Sequence, residues 1–248
     1  MNKYFNVLLE FDDNKIRNKI EYNILHNKKG YVCVVDANVL TISQKDLSYC
    51  NIINNAIINT CDGSSIAFFA GLLHNNKFNT WSGPDIFTYY IKENYKHLLL
   101  GSNNDIFNDI KCKLISNNIN HDNIHFLPLP FKSVNDFDYF EIAHKVNEYK
   151  PDIIWVSLGA PKQEIFMSKL ILLLNQGILF GIGAAFNFYT GKIKVPKLKI
   201  TNLNFTWLIR LFFEPKKQIT RIIPYLMLLP ILIYNEYLFI KNKNNTPS

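Results

Sequence analysis

At 248 residues, with 48% apolar and 19% charged side chains, the chain can bury one large α/β core, which excludes global disorder. Its four cysteines (Cys33, Cys50, Cys61, Cys112) form no CxxC pair and, with six scattered histidines, no metal-binding spacing, so reduced thiols and no metal site are expected. The formal charge of +7 is uneven: residues 192–248 carry +8, which leaves −1 for the first 191. Two of the three arginines, Arg210 and Arg221, lie in that basic segment, where a planar fork suits phosphate. Charge alone does not choose between a phosphate ligand, a membrane and nucleic acid.

In chain order, Lys3 to Phe11 reads as a first strand, and a polar helix follows to about Asn27. The first ten residues lack the charged, apolar, then small order of an export signal, so a cytoplasmic protein is expected. Gly30 opens the strand "YVCVVDAN", which ends in polar Asp36 and Asn38. Residues 45–59 look helical, and "NTCDGSSIAFFAGLL" is a turn into an apolar helix. "TWSGPDIFTYYI" leads into another helix, "HLLLGSNND" is a strand running into a cap, and residues 104–118 are helical. "NIHFLPLP" is a short strand and loop, and a helix covers about 136–149. Ile153 to Ser157 suits a strand buried on both faces, after which Gly159 permits a tight turn. Pro161 fits a helix start, with Lys162, Gln163 and Glu164 in its first turn. "GILFGIGAAFNFYTG" closes the series as strand and loop. Strands alternating with helices at this spacing predict a Rossmann-like parallel sheet with helices on both faces, over residues 1–191.

Residues 192–248 predict a separate basic, apolar, helical appendage. Ile222 to Ile240 is intensely apolar and flanked by basic residues, but Pro224, Pro230, Asn235 and Glu236 interrupt it, which a simple membrane span rarely tolerates. A helix lying at an anionic membrane surface fits charge and apolarity together, and a buried core helix is the alternative.

Four turns carry polar residues that a packed core would not select: Asp36/Asn38, Asp62 to Ser65, Gly83 to Asp85, and Gly159 to Glu164. In a parallel sheet such turns converge on the carboxyl edge, where ligands bind and helix N–H groups favour anions. Taken alone, Asp62 suits plain helix capping. The glycine-rich Gly181–Ala185 loop lacks the full dinucleotide fingerprint.

"CDGSSI", "GPDIF", "LGAPKQEIFM", "GIGAAFNFYTGKIKVP" and "TWLIRLFFEP" occur here in the order seen in the WecG/TagA/CpsF family of bacterial glycosyltransferases, and the chain resembles that family from about residue 30 to residue 225. The resemblance implies an inverting, metal-independent, cofactor-free enzyme. It would move a sugar from a UDP-sugar donor to a polyprenyl-diphosphate-linked acceptor, as a UDP-N-acetylmannosaminyltransferase-like hexosyltransferase does. The products would be teichoic acid, capsule, exopolysaccharide or common-antigen polymers, made peripherally on the inner face of the cytoplasmic membrane. It makes Asp62 the catalytic base and Gln163 an active-site residue. Asn38 would face the acceptor, and Arg210, Lys217 and Arg221 would bind the donor diphosphate. Asp36, Gly83, Asp85 and Asn187 join them as substrate-binding candidates. Asp36, Thr80, Asn187, Lys194 and Lys217 depart from the family's usual residues, which leaves the particular sugars open, as is a homo-oligomer.

Two other classes fit the sequence less well. A nucleotide-dependent oxidoreductase lacks the early glycine fingerprint and the acidic residue at ribose spacing. A basic nucleic-acid-binding module lacks aromatic residues interleaved with the tail's cations.

Overall fold

The computed structural model describes residues 1–193, 199–200, 203–204 and 215–245, with the side chains of the last stretch described over 219–243. Its centre is a six-stranded sheet of β3 (Lys29–Val35), β4 (Ile58–Cys61), β5 (His97–Leu100), β6 (Ile124–Leu127), β7 (Ile153–Val156) and β8 (Gly177–Gly181). The strands lie in the order β4-β3-β8-β7-β5-β6, and every pair is parallel. The sheet is therefore the predicted parallel α/β core.

Alternation along the strands divides the interior into two layers. Tyr31, Cys33, Val35, Ile154, Val156 and Leu179 face one side. There they meet α2 (Ala37–Lys45), α3 (Leu47–Asn54), α4 (Ser64–Leu73), α7 (Tyr139–Tyr149) and α8 (Lys162–Leu170). Val32, Val34, Ile153, Trp155, Ile178 and Phe180 face the other. Against them pack α1 (Asp13–Leu25), α5 (Gly83–Tyr90), α6 (Asn104–Ser116) and α9 (Ala185–Thr190). Both faces of the sheet are thus covered, which is why strands such as β7 and most of β3 are apolar runs.

Most helices begin on a polar cap. Asp12, Asp36, Asp46, Ser82, Asn103 and Asp138 each accept from a first-turn N–H of the helix that follows. By contrast α4 and α8, which follow β4 and β7, start at Gly63 and Pro161 without a side-chain cap.

Local assignments differ from expectation in three places. Lys3–Phe11 is not one strand but a hairpin of β1 (Asn2–Tyr4) and β2 (Val7–Leu9). Its turn is made by Phe5 and Asn6, both at positive φ (49° and 67°), the twist that tight hairpins favour. Residues 45–59 hold α3 and the start of β4 rather than one helix, and α2 precedes them. The loop expected after Gly181 contains α9. A short antiparallel pair, β9 (Lys199–Ile200) and β10 (Leu203–Asn204), lies near the tail.

The tail forms one long helix, α10 (Pro215–Asn245), continuous through Pro224 and Pro230. It packs against α2 and α4. Its stretch Ile219–Lys243 is long and apolar enough, by length and composition, to cross a membrane. Tyr225, Leu232 and Glu236 are buried, whereas Ile223, Leu226, Met227, Ile231 and Tyr234 stay exposed. Burying Tyr225 and Leu232 contributes roughly 3–6 kcal/mol at about 1.5–3 kcal/mol each, and the helix leaves more apolar side chains outside than it buries. It is not a core helix of the enclosed kind. The polar Glu236 that interrupts the sequence pattern faces inward: its carboxyl group accepts from the buried Phe5 N–H at 2.7 Å and meets His74 Nε2 at 2.8 Å.

Glu236→Ala should therefore strand the Phe5 N–H and cost about 1–3 kcal/mol of stability. Urea unfolding measures the loss, and limited proteolysis should show faster cleavage within residues 215–245.

Candidate active site

Parallel register brings the polar turns together. Val35 pairs with Cys61, so Asp36 and Asp62 leave the carboxyl ends of adjacent strands, whose backbones lie about 4.8 Å apart. Cys33 and Val156 both pair with Gly181, which places the Gly159–Gln163 turn beside the Gly181–Asn187 loop. The Trp81 N–H donates to Cys61 O at 2.9 Å and brings the start of α5 to the same edge.

Asp62 is half-buried, and its N–H donates to Val35 O at 2.9 Å. The cap position of α4 belongs to Gly63, with Asp62 one residue before it. Asp36, also half-buried, caps α2: its Oδ1 accepts from the Val39 N–H at 2.8 Å. Asn38 is half-buried in the first turn of the same helix.

Gln163 points inward and is only 4% exposed, which differs from a first-turn side chain facing a cleft. Its Oε1 accepts from the Gly159 N–H at 3.1 Å and the Gly183 N–H at 3.0 Å, tying the loop after β7 to the loop after β8. Both glycines have positive φ (76° and 54°), so these turns depend on residues without a side chain. Gly181 makes room for the amide, since a Cβ there would sit 3.1 Å from Gln163 Nε2. Ser157 adds a second tie, donating to Gly183 O at 2.6 Å.

Behind Gln163 lies Glu164, which is fully buried. Its Oε1 accepts from Gln163 Nε2 at 2.8 Å and its Oε2 from the Tyr49 hydroxyl at 3.0 Å. Burial pushes the Glu164 carboxyl up to about 7; the bonds from Gln163 and Tyr49 offset part of that rise, and the charge of Asp36 adds to it. The sequence pattern puts Glu164 in a polar first turn at the carboxyl edge and does not single out Tyr49.

Other candidates take mixed places. Gly83 is buried against the loop after β8, where a Cβ would come within 3.1 Å of Ile182 O, so packing explains it. Asp85 is exposed and forms a reciprocal cap with Ser82, accepting from its hydroxyl at 2.5 Å. Asn187 is half-buried in α9, and its carbonyl accepts from the Ile193 N–H at 3.1 Å. Arg221 is half-buried on α10, one turn before Tyr225. The Tyr225 hydroxyl is bonded to Ser65 in the first turn of α4, so Arg221 extends about 5.4 Å further along the helix toward the polar edge. Arg210 lies outside the described residues, as does the side chain of Lys217.

Among the described residues, no three His, Cys, Asp or Glu side chains gather as metal ligands. A cavity of about 210 Å³ opens elsewhere, lined by Lys92, Tyr95, His97 and Asn123. It lies at the amino ends of β5 and β6, the edge opposite to where α/β sheets bind ligands. Its His97 is held neutral by burial, which pushes its pKa down to about 4, and its Nδ1 already accepts from Trp155. The polar carboxyl edge is the better site.

A parallel α/β core with a carboxylate-bearing carboxyl edge and a basic tail suits an enzyme of the group-transfer class. Residues 7–243 match the model of the glycosyl transferase WecG/TagA/CpsF family, and the chain belongs to that family: it is a glycosyltransferase. It is similar to the N-acetylglucosaminyldiphosphoundecaprenol N-acetyl-beta-D-mannosaminyltransferase of Bacillus subtilis, with 23% identity over 201 residues, 79% of this chain and 77% of that protein. A protein of the same name from Bacillus spizizenii is 31% identical over 80 residues, 32% of this chain and 31% of the relative.

The Glu164 environment predicts a pH effect. Between about pH 4.5 and 7 the folded protein retains a proton that the unfolded chain has released, so this group makes stability fall as pH rises through that window. Glu164→Gln should remove that slope, a relative change on the order of 3 kcal/mol between pH 4.5 and 7. Urea unfolding of both proteins across the window measures it, and parallel slopes would count against a buried, protonatable Glu164.

Proposed function

We propose that this glycosyltransferase moves a sugar from a UDP-sugar to a sugar carried on a polyprenyl diphosphate, in cell-surface polysaccharide synthesis at the cytoplasmic membrane face. The observation that carries the reading is Asp62: a half-buried carboxylate at the carboxyl end of β4, beside Asp36 at the end of β3. The name of the Bacillus subtilis relative supports the acceptor class, because it specifies a diphosphoundecaprenol-linked sugar.

In this mechanism an acceptor hydroxyl attacks the anomeric carbon of the donor. Asp62 takes the hydroxyl proton as the new C–O bond forms, the bond from carbon to the diphosphate oxygen breaks, and UDP departs from the opposite face with inversion. The leaving diphosphate gathers negative charge, which Arg221, at the polar edge, is positioned to meet, with Arg210 and Lys217 assigned to the same task from the sequence. Those cations replace a metal in the proposal, and no cofactor is needed beyond the donor. Residues 192–248 act as the membrane-associating unit: the exposed apolar face of α10 enters the interface while the flanking basic residues meet anionic headgroups.

Asp62→Asn should lower turnover by about 10²–10⁴ while leaving the melting temperature and UDP-sugar affinity unchanged. Mass-spectrometric transfer assays with a short-chain lipid diphosphate acceptor measure it, and an unchanged rate across several pH values removes Asp62 from the role of base.

Ile223→Asn combined with Met227→Asn alters only exposed positions of α10. The pair should reduce sedimentation with anionic vesicles without lowering the unfolding midpoint. Wild-type sedimentation would assign membrane contact to another surface.

A further inference from the structure

We propose that Tyr225 is a positioning residue that couples the C-terminal helix to the loop bearing Asp62; the proposal rests on the reading of Asp62 as base. Among the described residues, two polar side-chain contacts join α10 to α4, one at each end. At the start of α4, the hydroxyls of Tyr225 and Ser65 meet at 2.9 Å. At its far end, His74 (the C-cap residue of α4) meets the Glu236 carboxyl at 2.8 Å. The spans agree: nine residues of α4 cover about 13.5 Å and eleven residues of α10 about 16.5 Å at 1.5 Å per residue. The two helices run in the same direction, and α10 splints α4 along its length.

The Tyr225 contact falls in the first turn of α4. That turn starts at Gly63 with no side-chain cap, unlike six other helices of the core. Ser65 is three residues from Asp62, so holding Ser65 limits how far the carboxylate can swing. Tyr225 is built for the role, being 4% exposed and rigid, with its hydroxyl directed at this one turn. Burial pushes its pKa up to about 12, so it stays protonated and bonded through the physiological range. The same helix carries the exposed apolar side chains Ile223, Leu226 and Met227 next to Tyr225. Whatever fixes that outer face also fixes the height of Asp62 relative to it.

Tyr225→Phe removes one oxygen and leaves the ring in place. In full-length protein with a lipid diphosphate acceptor, we expect kcat to fall about 5–20-fold, with the donor KM within twofold of wild type. Melting temperature and vesicle binding should be unchanged. Ser65→Ala should reproduce the loss, and the double variant should be no worse than either single one, because both delete the same contact. Amide hydrogen exchange at residues 64–67 should quicken in Tyr225→Phe, a readout independent of catalysis. Unchanged exchange there overturns the coupling whatever the activity, and so do additive losses or a fall in kcat matched by a fall in melting temperature. Faster exchange with an unchanged kcat also overturns it as a positioning device. An Asp62→Asn enzyme with full turnover overturns the base assignment instead, so the two failures are distinguishable.

Discussion

The N–H groups of Gly159 and Gly183 lie just past β7 and β8, where the sheet ladder no longer supplies acceptors, and one side-chain oxygen serves both of them. That oxygen belongs to Gln163, whose amide nitrogen is in turn held by Glu164. The carboxyl edge depends on this bracket, because two turns built on left-handed glycines have little stiffness of their own. An unmet buried N–H costs about 1–3 kcal/mol, so the amide oxygen stabilises two turns at once. The bracket is itself buried, which separates the groups that shape the site from those that face a substrate. Gln163, Glu164 and Tyr49 belong to the first kind; Asp62, Asp36 and Asn38 are half-buried, and in the proposed reaction they belong to the second.

The rest of the molecule follows from where charge and apolar surface were placed. A nearly neutral core of 191 residues is joined to a tail of +8. The tail's helix has two apolar faces, a narrow one against α2 and α4 and a broad one left outside. A helix with only one of these faces would serve either as a core element or as a detachable anchor. Having both lets a single element touch the catalytic layer and the surroundings together.

The sheet could be read from the sequence because its strands are buried on both faces, which produces apolar runs such as "YVCVV" and "IIWV". The polar turns were legible for a related reason, since each interrupts such a run. The hairpin was not, because Phe5 and Asn6 make a positive-φ turn without glycine or proline to mark it. Within residues 45–59, isoleucines at both helical and strand spacing concealed the end of α3 and the start of β4. The hidden parts of the site share a different cause. Glu164 meets Tyr49 across 115 positions and Glu236 meets Phe5 across 231, so no local window shows that either acid is buried and satisfied.

The strand order carries a consequence for biosynthesis. β8 comes last among the strands of the main sheet but sits inside it, between β3 and β7. Until residues 177–181 are made, the growing chain can hold only a β4-β3 pair and a β7-β5-β6 group, each with an open edge where β8 belongs. At about 5–20 residues per second, β3 waits roughly 7–30 s on the ribosome for its partner. During that interval an apolar parallel edge is free to pair with a neighbouring chain. The interval between β3 and β8 is when the nascent protein most needs shielding, and crowded polysomes are where its yield is decided.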